Sequence, residues 1–284
     1  MVLTRFFHDG ALSLVWGGLG YATCIAGPDL RQALVRRLAA IADLSVCITV
    51  ATSAAAFPIQ TADITAQWKS AWDLGTLHLV AETSVGQALA VQIATGVGLV
   101  VAVLVRAHRT SAAIAGSMLC ELAFSGHAAE GSGFSGLIHQ AIDCVHVLTG
   151  CAWLGALIPF MTVLRMSAVP ELRQASLRAM KRFSVWGHVA VALVLISGLA
   201  NIWLTLGRLP FDFTSPYDQK LILKIFAVGL MTSIAIANRY VLVPMIRKHN
   251  SSARPAMIYG CIAEIILGAF ALGLVASFGL QDPA

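Results

Sequence analysis

Charge is what this chain has least of. Asp, Glu, Lys and Arg make up only 12% of its 284 residues, against about 25% in soluble domains. With a mean hydropathy of +0.79, that shortage excludes a water-soluble globular fold. The apolar runs lack the dyad alternation of a membrane barrel, which leaves helices as the spanning elements. Paired cysteines are also missing. The six cysteines form no C-x-x-C pair, and most fall inside apolar runs, so they read as buried thiols and not as a disulfide framework. No glycine-rich phosphate loop is present, which argues against ATP-driven pumping. The N-terminal stretch lacks a convincing small-residue cleavage site and reads as a retained span rather than a removed signal.

What is there is a series of long apolar runs. Eight spans of about 20 residues can be drawn, at roughly 8–27, 38–58, 75–105, 111–128, 137–164, 183–206, 220–243 and 257–280. The third is too long for one straight crossing, and its first part, Trp72 to Glu82, suits an interfacial amphipathic turn or a strong tilt. The fold class expected is therefore all-α: a polytopic membrane helix bundle, with residues 1–284 as a single unit.

The formal charge of +5 is distributed for topology, not for nucleic acid. Arg31, Arg36 and Arg37 follow the first span, and Arg106 and Arg109 follow the third. Arg165, Arg173, Arg178, Lys181 and Arg182 follow the fifth, and Arg247, Lys248 and Arg254 the seventh. The alternate connections hold only Lys69, Arg208 and Lys220. By the positive-inside rule the basic loops are cytoplasmic, which puts both termini in the periplasm. Trp68, Trp72, Trp203 and Tyr217 then fall near the outer edges, as interfacial aromatics do.

On that outer side lies the stretch SGHAAEGSGFSGLIHQAIDCVHVLTGCAWLGALIPF, residues 125–160. His139, Asp143 and His146 are spaced i, i+4, i+7 and share one helix face, with His146 roughly 10 Å deeper than His139. His127 closes the preceding span, and the short turn between makes the two helices neighbours. Neutral imidazoles at such a mouth bind a transition metal, with Asp143 as a ligand or as acceptor of a ring N–H. Affinity should then fall below about pH 6. A histidine at the rim also serves as a plain polar anchor, a reading that fits His139 better than His146. His78 and Glu82 form another i, i+4 pair, suited to the site or to the headgroups. Cys144, Cys151, Met118 and Cys120 suit packing; as ligands their softness would favour Cu(I). His8 falls at the outer N-terminal edge, and His188 at the inner end of its span. Asp43, Glu121, Lys224 and Glu264 sit inside apolar runs and require a counter-charge, a cavity or the bundle interior.

The chain resembles the CopD family of bacterial inner-membrane copper proteins over most of its length, most sharply across residues 125–244. The resemblance rests on Gly126-His127-Ala128, on His146 with Trp153-Leu154-Gly155, and on Tyr217…Leu223-Lys224 leading to Asn238-Arg239. Ala156 and Asp218 stand where the family commonly has glycine. The resemblance implies an eight-span, multi-pass inner-membrane protein of copper homeostasis, without catalytic turnover, that carries Cu(I) or Cu(II) and for which import is proposed. It also implies a periplasmic copper-binding partner similar to CopC, and His127 and His146 as metal residues. An alternative keeps the histidines as axial ligands of haem, in a membrane oxidoreductase similar to protoporphyrinogen oxidase bundles. A purely structural assembly subunit is a third reading.

Overall fold

In the computed structural model, residues 1–124, 133–248 and 251–279 are described. Among them every regular element is helical. The α-helices are α1 Val2–Gly20, α2 Pro28–Thr65, α3 Leu74–Ala81, α4 Ser84–Leu104, α5 His108–Glu121, α6 Gly133–Met166, α7 Pro170–Leu206, α8 Pro216–Ala237, α9 Val243–Arg247 and α10 Ala253–Phe278. π-turns follow α1 (Tyr21–Ile25) and α8 (Asn238–Leu242).

Six of these segments are long and apolar enough to cross a membrane, namely α2, α4, α6, α7, α8 with its π-turn, and α10. The other two expected spans correspond to α1 and α5. α1 carries Arg5, His8 and Asp9, and α5 has only 14 residues. The apolar centres expected at 38–58 and 183–206 belong to much longer helices. α2 has 38 residues and α7 has 37, far more than the ~20 a bilayer requires. Each starts on a proline whose fixed φ suits the first helical position, and each begins with a charged stretch that would lie outside the hydrocarbon. The overlong third segment is divided. Asp73 caps α3 by accepting from the Thr76 amide at 2.9 Å, and the Thr83 hydroxyl caps α4 by accepting from Gly86 at 3.1 Å.

α1 packs against α2, α5, α6 and α10, while α6 packs on α7 and α8 on α10. The α1–α6 contact is close because two glycines face each other. A Cβ on Gly17 would lie 2.7 Å from the Gly155 Cα, and one on Gly155 would run into the Ser13 carbonyl. Ion pairs tie the basic end together. Arg178 of α7 holds Asp29 of α2 at 2.9 Å, and Arg106 reaches Asp43 at 3.5 Å. At the opposite end, fully buried Asp218 accepts from Arg208 at 2.6 Å and from the Asp212 amide at 3.0 Å. The residue that departs from the family glycine thus organises the loop before α8.

Candidate functional site

α6 positions the site. Its apolar face packs on α1 and α7, so the polar side chains at 143 and 146 turn into the bundle between α7 and α8. Nδ1 of His146 lies 3.1 Å from the Val194 carbonyl and 3.2 Å from the Ser197 hydroxyl. A carbonyl only accepts, so Nδ1 carries the proton, and Nε2 of the neutral ring keeps its lone pair. Nε2 has no hydrogen-bond partner among the described residues. Gly198 makes room for this ring: a Cβ there would stand 3.0 Å from Cε1 and 3.3 Å from Nδ1. One turn up, Asp143 accepts from the Asn201 amide at 2.8 Å. The ammonium of Lys224, on α8, interacts electrostatically with Asp143, His146 and Cys151. Cys151 is buried beside Ser13 and Asp9 of α1, and the Asp9 Oδ1 is buried with no hydrogen-bond partner among the described residues. The result is a polar seam through four helices. It runs from Asp9 and Ser13 through Cys151 and Lys224 to Asp143, His146, Ser197 and Asn201.

The other expected residues fall as follows. His127 lies outside the described residues. His139 is on the first turns of α6, half-buried, on the same face as Asp143. Among the partners of Asp143 are the Asn201 amide and the Lys224 ammonium. His78 and Glu82 pair with each other at 3.5 Å on exposed α3, which packs on α2, α4 and the Trp68–Trp72 turn. Met118 is buried among Leu12, Val15, Leu99 and Cys151 and fills core space. The Cys144 thiol meets Cys120 across the α5–α6 seam, 3.8 Å from its carbonyl oxygen. No group of three His, Cys, Asp or Glu side chains is arranged to hold a metal ion among the described residues.

Residues that the sequence reading passed over complete this picture. Asn201 and Ser197 lie in an apolar helix and gave no signal of their own. His8, expected at the outer edge, is buried because α1 starts at Val2. Its Nδ1 meets Thr52 at 3.0 Å and its Nε2 meets Gln92 at 3.0 Å, so both nitrogens are occupied and its role is to join α1, α2 and α4. Buried Glu264 accepts from Trp153 Nε1 at 3.1 Å and from the Asn238 amide at 2.9 Å, and half-exposed Asp43 pairs with Arg106.

Residues 1–137 match the copper resistance protein D-like N-terminal domain, and residues 177–278 match copper resistance protein D. The chain belongs to the copper resistance protein D family. It is 28% identical to the inner membrane protein YebZ of Escherichia coli K12, over 99% of this chain and 98% of that one. It is 29% identical to copper resistance protein D of Pseudomonas syringae pv. tomato, over 72% of this chain and 71% of that one. No solved structure matches it. The chain is thus a multi-pass inner-membrane protein of a family implicated in copper resistance.

Proposed function

We propose that this protein binds copper ions as cargo at the periplasmic side of the inner membrane and passes them inward through an eight-span bundle, 1–284, with both termini outside. The observation that carries the reading is His146. Its Nδ1 is committed to Val194, and its Nε2 is an open nitrogen ligand inside a polar seam. Imidazole nitrogen suits copper in either oxidation state, and His127 and His139 are the further imidazoles assigned to capture. Asp143 acts through Asn201 and Lys224 and sets the charge beside the ring rather than ligating. The Cys120–Cys144 thiol pair is a softer stopping point for Cu(I). Copper would reach the mouth from a soluble periplasmic carrier similar to CopC.

The test is elemental analysis of purified protein after copper loading. The wild type retains copper, the His127→Ala/His146→Ala variant loses most of it, and the Cys120→Ser/Cys144→Ser variant loses Cu(I) selectively. Equal copper in wild type and the histidine variant refutes the assignment.

A further inference from the structure

A chamber of about 760 Å³ opens between α6, α7, α8 and α10, toward the end that carries the basic loops and away from His146. This is the size of a pocket for a small organic ligand. Its walls are apolar, with Leu157, Phe160, Val191 and Leu195 among them, and Leu195 is also exposed on the outer face of the bundle. Three Lys or Arg side chains, Arg178, Lys181 and Arg239, line it. Arg178 already shares Asp29 at 2.9 Å, whereas Lys181 and Arg239 have no ion-pair or hydrogen-bond partner among the described residues. The acid in the chamber, Glu264, is buried, and each of its oxygens accepts a hydrogen bond from Trp153 or Asn238. The π-turn that starts at Asn238 carries Arg239 and Tyr240 into the lining.

An apolar shaft with unpaired cations, at the basic end of a bundle, selects an amphiphile with a negative head. Basic pockets between membrane helices hold acidic headgroups in this way. A metal cation is disfavoured by Lys181 and Arg239, and a fully apolar ligand would leave both ammonium and guanidinium without a counter-charge.

We propose that this chamber is a binding site for an anionic phospholipid, with its phosphate on Lys181 and Arg239 and an acyl chain along Leu157, Val191 and Leu195. The site is independent of copper binding at His146.

Native mass spectrometry of the full chain in detergent tests it. The chain is titrated with phosphatidylglycerol and with phosphatidylcholine of the same acyl chains. Wild type binds the anionic lipid about tenfold more tightly or better, on the scale that two cations near a membrane surface supply. Lys181→Gln/Arg239→Gln reduces phosphatidylglycerol to the level of phosphatidylcholine at unchanged melting temperature. Ala192→Trp fills the shaft and weakens both lipids. Inorganic phosphate at equal concentration leaves the lipid in place. Equal binding of the two lipids by wild type overturns the proposal, as does a preference that survives the double substitution. Displacement by phosphate alone would make this an anion site and overturn the lipid assignment. Should the double variant not fold, the wild-type lipid comparison and Ala192→Trp still decide.

Discussion

The positioning of His146 can be tested without touching it. Gly198→Ala adds one methyl to α7, at a place where a Cβ would be 3.0 Å from Cε1 of the imidazole and 3.3 Å from Nδ1. Ordinary carbon contacts begin near 3.5 Å, so the ring must retreat by about half an ångström. It cannot do so freely, because Nδ1 is bonded to the Val194 carbonyl at 3.1 Å on the same helix. Retreat stretches that bond and turns Nε2 away from its present direction. Loss of such an orienting contact typically weakens a metal site about 10–100-fold, or roughly 1.4–2.8 kcal/mol. The helix itself is not weakened by the change. Alanine exceeds glycine in helix propensity by up to about 1 kcal/mol, which offsets part of the crowding. Anaerobic Cu(I) titration against a chromophoric chelator, with thermal unfolding alongside, reads both quantities. The expected result is weaker copper binding at nearly unchanged stability. Gly187→Ala on the same helix, where a Cβ meets nothing within 4 Å, should leave copper binding as it is. If Gly198→Ala binds copper like wild type while His146→Ala does not, the fixed tautomer has no part in binding.

Trp153→Phe removes the donor to Glu264 and leaves a buried carboxylate oxygen unpaired, at a cost of about 1.5–3 kcal/mol, measured by denaturant unfolding in detergent micelles; stability equal to wild type would contradict the contact. Gly155→Ala should destabilise by about 1–3 kcal/mol or more, since the obstacle is the Ser13 backbone and no rotamer relieves it. Gly229→Ala, with open space around it, should be neutral or stabilising in the same assay, and the opposite order would refute the close α1–α6 packing. The Asp73 carboxyl lies below its usual range because the Thr76 hydroxyl and amide both donate to it. Its cap on α3 is therefore complete above the ordinary aspartate value and is lost as pH falls through the lowered one. Amide exchange of Thr76 should stay protected from pH 7 to 5, and opening within that range would exclude the cap.

The helices were legible because apolar run length and loop charge are properties of single segments. The division of the third run at Glu82–Thr83 was legible too, since no bilayer accommodates 31 residues in one straight crossing. Helix ends were less so. Pro28 and Pro170 start α2 and α7 well before the apolar stretch begins, and hydropathy does not register a charged helix outside lipid. Partners were least legible. The i, i+4, i+7 spacing places His139, Asp143 and His146 on one face of a helix, and all three lie in α6, but spacing does not say what that face meets. Asn201, Ser197 and Lys224 come from two other helices, and only packing brings them to Asp143 and His146.

The family motifs themselves have a physical meaning beyond the histidines. In Trp153-Leu154-Gly155, Trp153 donates to Glu264 of α10 and Leu154 presses on Gly268 of the same helix. Gly155 admits the backbone of α1. Asn238, from the third motif, donates to the other oxygen of Glu264, and Lys224 of the same motif reaches the α6 seam. Three consecutive residues of α6 therefore fix α1 and α10 around it, two turns below His146. That is why a tryptophan and a glycine follow a histidine at these distances. Nε2 of His146 can be held open in a bundle only if the helices around it are locked by contacts that do not use the ring.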